Sequence, residues 1–259
     1  MTNLPALFVS HGAPTMAIED TPTRRFLESL GEEFDKPKAV IAVSSHWNAA
    51  TATIGAAAQP ATLHDFHGFP KELYEIDYPA KGDPNLASRV QSMLNAHGLE
   101  SRLDEKRGLD HAVWTPLRLM YPKADIPVVP LAVLPSESGA MHYRIGEALR
   151  PLRDEGVLIL ASGGVTHNLR EYMIRQPDSE TASWAATFSD WVLEQATARS
   201  DLALMEWESA PQALRNHPSP EHFLPFLVAL GAATPNQPAR CLHRAFGWGV
   251  LALDAYAFD

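Results

Sequence analysis

Four short runs in this chain are apolar almost without interruption and built from strand-forming residues: Ala6–Ser10, Ala39–Ser45, Pro127–Leu134 and Val157–Ser162. A strand with one face in water alternates apolar and polar residues, whereas a strand covered on both faces stays apolar throughout. Between the runs lie stretches with helical patterning, at Thr21–Phe34, Pro84–His97, His111–Met120, Ser138–Arg150 and Thr181–Ser200. This alternation predicts an α/β fold: a single domain with a mostly parallel or mixed central sheet, flanked by helices on both faces. "TATIGAAA" from Thr51 reads as a further strand, and "GVLALDAYAF" as a late one. The 21 prolines and 15 glycines are spread through the loops, so no linker divides the chain and residues 1–259 read as one domain.

Three of these runs end in small residues followed by a histidine: "LFVSHGAPT", "VIAVSSHWN" and "LILASGGVTHN". In open α/β sheets the ligand crevice lies outside the carboxyl ends of the strands, so His11, His46 and His167 are expected to meet on one rim. Imidazole is the commonest protein ligand for metals, and neighbouring glycine or serine lets the backbone turn tightly enough to aim the ring. "HPSPEHFLPFLVALGAA" adds a fourth candidate. There Ser219 is expected to cap a helix with Pro220 in its first position, which puts Glu221 and His222 in the first turn. The helix dipole disfavours a protonated imidazole at that place, so His222 is preferred to Glu221 as a ligand, although a carboxylate there also suits the dipole.

The other histidines carry less. His111 opens a helix after Asp110, a natural N-cap, and serves structure or chemistry equally well. His64 and His67, among aromatics in "LHDFHGFP", suggest the lining or lid of a pocket more than a metal pair. His97 precedes Gly98 where a helix should end, and His142, on a helix without a visible partner, is expected to face solvent.

Composition narrows the function classes. A formal net charge of -10 argues against nucleic acid or an anionic membrane as the partner and leaves a small molecule. The single cysteine, Cys241, excludes an internal disulfide or a thiolate cluster and reads as a small buried hydrophobe. The opening "MTNLPALFV" lacks a basic segment with a long apolar core, and no run is long enough to span a bilayer, so a cytoplasmic protein is expected. There is no phosphate loop, no dinucleotide fingerprint and no nucleophile elbow.

Taken in order, "SHGAPT", "SSHWN", "LDHAVWTPL", "GGVTHN" and "HPSPEHFLPFLVALGAA" resemble the class III extradiol ring-cleavage dioxygenases, in their DOPA 4,5-dioxygenase-like branch, over nearly the whole chain. The resemblance implies a single catalytic domain in which His11, His46 and His222 bind the metal, His222 standing where protocatechuate-cleaving relatives use a glutamate. It also implies His167 as the acid–base residue, or as a further ligand, and His111 as a second active-site histidine. The expected metal for activity is Fe(II), with Zn(II) able to occupy the same nitrogen ligands in isolated protein. The expected partners are a catechol and O2, the expected state a monomer or small homo-oligomer. Trp47, Phe66, Phe69 and Trp114 are candidates to flank the aromatic ring or to serve as core. Two other readings stay open: a zinc hydrolase in which His11, His46 and His222 activate water, and a binding protein that has kept the scaffold without the chemistry.

Overall fold

In the computed structural model, which describes residues 4–259, the four apolar runs become neighbours in one sheet. The strands are β1 (Ala6–Ser10), β2 (Ala39–Asn48), β3 (Ala52–Gly55), β4 (Ser101–Asp104), β5 (Val128–Val133), β6 (Val157–Gly163), β7 (Arg240–His243), β8 (Phe246–Gly247), β9 (Leu251–Ala252) and β10 (Ala255–Phe258). Eight form the sheet in the order β4-β3-β5-β2-β6-β1-β10-β7, and β8 with β9 makes a separate ribbon. The middle four, β5, β2, β6 and β1, are parallel, while β10 runs antiparallel to β1 and β3 antiparallel to β5. The sheet is therefore mixed around a parallel centre.

Nine helices complete the described chain: α1 (Pro22–Glu33), α2 (Pro84–Ala96), α3 (His111–Met120), α4 (Gly139–Leu149), α5 (Leu169–Tyr172), α6 (Ser183–Thr197), α7 (Asp201–Met205), α8 (Ala213–Asn216) and α9 (Leu224–Ala232). Consecutive side chains of a strand point to opposite faces, and the core divides accordingly. Ile41, Val43, Ile159 and Ala161 pack with α2, α4, α6 and α9 on one face. Val40, Ala42, Leu158 and Leu160 pack with α1 and α3 on the other. Continuous apolar runs mark the strands enclosed on both sides. Among the described residues no helix is long and apolar enough to cross a membrane.

Several helix starts follow from local chemistry. Thr21 caps α1 by accepting from the Arg24 amide at 3.1 Å with Pro22 next in line, and Asp83 caps α2 by accepting from Leu86. His97 ends α2 before Gly98, whose φ of +70° lies in the left-handed region that glycine occupies without strain.

Three expectations are corrected. The helix expected from Pro220 begins at Leu224, because Ser219 donates to Glu221 instead of capping and the His222 carbonyl accepts from the Gly164 amide at 2.9 Å. His222 thus sits in the turn before α9, not in its first turn. The late strand breaks into β9 and β10 at Asp254, whose buried carboxylate accepts from Ser189 at 2.8 Å. His142 does not face solvent: it is fully buried, its Nε2 accepting from the Leu134 amide and its Nδ1 donating to the Ser138 carbonyl, both at 3.0 Å. Its partners are backbone groups, which no side-chain pattern reveals. Cys241 is half-buried against the larger core, close to its expected role.

The buried His142 has a consequence for stability. Burial pushes its imidazole down to about 4, with the Ser138 hydrogen bond opposing, and His217, buried beside Trp207 and Phe223, is likewise pushed down to about 4. An unfolded chain takes up these protons near pH 6.5, so the stabilisation from each is fully present above that value and is lost as the pH falls towards 4. Each shift is worth roughly 3 kcal/mol. Urea unfolding is expected to show a marked loss of stability from about pH 7.5 to about pH 5, and His142→Gln a shallower decline. Parallel slopes for the two chains would show that His142 protonates as easily in the fold as outside it.

Candidate active site

Adjacent strands β1 and β6 send the chain to opposite faces of the sheet, to α1 and to α6, and the carboxyl ends of β1, β2 and β6 open there into a cavity of about 420 Å³, a volume suited to a small ligand. His11 follows β1 directly, its amide donating to the Gly163 carbonyl at 3.1 Å, and Gly12 turns the chain away with φ +66°. His46 lies within β2 and not just after it. Pairing of β2 with β5 shifts register between Ser44 and Asn48, so Ser45, His46 and Trp47 form an irregularity that re-aims the His46 ring. His222 is brought in by the turn before α9, close against β6: a Cβ on Gly163 would come within 2.2 Å of the His222 carbonyl. His111 starts α3, and His167 follows β6 with its amide bonded to the Asn216 carbonyl at 3.0 Å.

These five imidazoles form one cluster. Ring centroids lie 5.2 Å apart for His11 and His46, 5.0 Å for His46 and His222, 5.6 Å for His11 and His222, and 4.1 Å for His46 and His111. His167 stacks parallel on His222 at 3.4 Å. One ring nitrogen from each of His11, His46 and His222 falls within 4.8 Å of the others, and two further sets, His46–Asp65–His111 and His167–Glu221–His222, meet the same distance.

The hydrogen bonds behind the rings fix where the protons sit. Ser162 donates its only hydroxyl proton to the Ala112 carbonyl, so at 3.2 Å from His11 Nδ1 it accepts, and the His11 proton is on Nδ1. Asp65 Oδ2 lies 3.1 Å from His46 Nδ1, and Glu221 Oε1 lies 3.3 Å from His222 Nδ1. In their neutral forms all three rings therefore keep Nε2 unprotonated, and the Nε2 atoms of His46 and His222 face each other at 3.2 Å. Two lone pairs at that separation repel unless a cation lies between them, and 3.2 Å is the spacing of two nitrogens that each sit ~2.1 Å from one ion. The donor set fits a metal whose preferred ligand is neutral imidazole, with an oxygen partner behind each ring.

Electrostatics favour the neutral form of His11, His111, His167 and His222. Burial, followed by the neighbouring imidazoles, drives His11 and His222 well below the usual histidine range and His167 down to about 3. Burial lowers His111 too, against the opposing pull of Asp65. Burial alone would raise the Asp65 carboxyl, but hydrogen bonds from His111 and His46 outweigh it and hold the group far below the usual carboxylate range.

Of the remaining candidates, Phe66, Phe69 and His67 line the cavity. Trp47 packs beneath the Arg107 guanidinium, and Trp114 is core, its indole donating to the Leu63 carbonyl at 2.9 Å. His64 bonds the Ile76 carbonyl and stays outside the cluster, as do His97 and His142. Asp110 occupies the N-cap position of α3, but its side chain accepts from Ser44 at 2.7 Å and pairs with Arg107, and the helix amide at His111 is taken by Asp65 instead. Asp65 is the main residue that sequence reading passed over. It sits in "LHDFHGFP" between His64 and His67, and nothing in its spacing ties it to residues 46 and 111. Among the described residues, Asp65 and Glu221 are the carboxylates lining the cavity, and no lysine or arginine lines it.

Residues 5–248, which include this switch point and this histidine cluster, match the family model described as the catalytic LigB subunit of aromatic ring-opening dioxygenase. The chain belongs to that family, the class III extradiol dioxygenases. Among individual proteins, it is 43% identical over 257 residues to 4,5-DOPA dioxygenase extradiol of Beta vulgaris, covering 97% of this chain and 95% of the relative. It is 38% identical to a protein of the same name from Escherichia coli K12, over 92% of this chain and 88% of that one. A crystal structure of an uncharacterized protein from Escherichia coli K12 superposes with a TM-score of 0.84 at 33% identity, covering 99% of this chain and all of that one.

Proposed function

We propose that this chain, acting as one catalytic domain, is an Fe(II)-dependent extradiol dioxygenase that opens a catechol ring beside its two hydroxyls, with DOPA or a related catechol as substrate. The observation that carries the reading is the set of three Nε2 lone pairs from His11, His46 and His222, each with its Nδ1–H bonded to an oxygen acceptor. These three residues would hold the ion. Fe(II), when bound, would supply the Lewis acidity and redox chemistry that bring a catechol and O2 to reaction.

The remaining work falls to the chain's own groups. His167 is unprotonated at neutral pH, so its imidazole takes a proton from a catechol hydroxyl and returns it as the ring opens. His111, with its Nδ1–H committed to Asp65 Oδ1 at 3.0 Å, presents Nε2 as an acceptor to the substrate. Phe66 and Phe69 give the cavity an apolar wall against an aromatic ring and exclude water from it. A hydrolase that used a carboxylate as general base would need one free to activate water, and both lining carboxylates named above are bonded to imidazoles. The net charge of -10 and, among the described residues, a lining without lysine or arginine fit a small-molecule partner better than nucleic acid.

The test is oxygen consumption and the absorbance of a yellow ring-opened product, with anaerobically Fe(II)-loaded protein and a panel of catechols beside a zinc-loaded control. Uptake and colour with iron alone are the expected result. One ion bound per chain with no uptake from any catechol would overturn the reading.

A further inference from the structure

We infer that Asp65 is a positioning residue whose single carboxylate sets the proton positions of two active-site histidines at once, and so makes His46 a competent ligand. The inference rests on His46 binding metal, as proposed above. Asp65 Oδ1 accepts both the His111 amide at 2.9 Å and His111 Nδ1 at 3.0 Å, while Oδ2 accepts from His46 Nδ1 at 3.1 Å. A carboxylate offers only acceptors, so both imidazoles must carry their protons on Nδ1. Both Nε2 atoms are then left bare, that of His46 facing its counterpart on His222. The residue comes from a loop remote from both partners in sequence, and its side chain is 26% exposed, so little of the core depends on it.

Replacing Asp65 with asparagine separates this role from simple packing. The new amide has one acceptor and one donor end. Its orientation is dictated by the His111 backbone N–H, which can only donate, so the amide oxygen must face His111 and the NH2 must face His46 Nδ1. Two donors cannot share that contact. The His46 proton must therefore move to Nε2, where it blocks ligation. A nearly isosteric change is predicted to flip one ring's tautomer while leaving that of His111 alone.

Metal affinity and tautomer are read independently of turnover. Co(II) and Zn(II) binding, measured by competition with a chromophoric chelator, is expected to weaken by about 10- to 100-fold in Asp65→Asn. Long-range proton–nitrogen NMR of the metal-free protein, assigned with His46→Ala, is expected to show Nδ1–H at His46 in the wild type and Nε2–H in Asp65→Asn. Asp65→Glu, which restores acceptors on both sides, is expected to recover the wild-type tautomer and part of the affinity; it also serves if the amide variant folds poorly. An unchanged His46 tautomer in Asp65→Asn, with unchanged affinity, would overturn the inference. If the wild type binds no metal, the ligand reading itself fails, and the tautomer comparison still decides what Asp65 does.

Discussion

A chain carrying His46→Ala is expected to fold and to retain almost no bound metal, with ring-cleaving turnover lost by more than the ~10- to 100-fold that removing an outer partner costs. The ring is half-buried at the rim of the sheet, so its loss leaves a gap open to the cavity and not a void in the core. The effect on metal is far larger because His46 Nε2 is one of the two nitrogens that oppose each other at 3.2 Å, and its removal leaves His222 and His11 as a two-nitrogen site. Metal content per chain, measured beside the thermal unfolding midpoint, checks both halves of the statement. Full metal content in the variant would move the ligand set to His167, Glu221 and His222, the other group near enough to hold an ion without His46.

The second large effect is expected at His167. His167→Phe keeps a flat ring against His222, preserving the 3.4 Å stack, but removes both nitrogens. Loss of a general acid–base typically costs ~10²- to 10⁴-fold, so kcat is expected to fall by that amount with metal content and catechol binding nearly unchanged. Single-turnover measurements with an excess of loaded enzyme separate the chemical step from substrate capture. Loss of the metal together with activity would show His167 to be a ligand. Retention of both would remove the proposed proton transfer.

Much of this site can be read from the chain because its geometry comes from strands buried on both faces. Such strands must be apolar throughout, and a histidine closing one stands out against that background; His11, His46 and His167 were legible for that reason. His222 was legible as a residue but not as a place. The proline at 220 suggests a helix start, yet the carbonyl of His222 is held by the Gly164 amide at 2.9 Å and the helix waits until Leu224. Backbone partners of this kind leave no trace in a pattern of side chains, which also explains the misplacement of His142. Asp65 is illegible for a different reason: it lies in a loop, and its partners, 46 residues away at His111 and on β2 at His46, are joined to it by the fold alone. The register shift in β2 was equally silent, since "SSHWN" reads the same whether its ring points along the strand or is swung out of register.

The three nitrogens of the proposed ligand set come from widely separated parts of the chain, His46 and His222 being 176 positions apart. An ion held by them would act as a clasp, closing a loop whose entropy is a considerable obstacle while the chain is searching for its fold. Metal capture and assembly of the sheet are then linked equilibria: partly assembled chains lack the site, the assembled sheet binds tightly, and binding adds to the stability that the metal-free fold already has. A cell short of that metal would accordingly hold a protein that opens more readily and is cleared sooner, so that abundance itself follows metal supply.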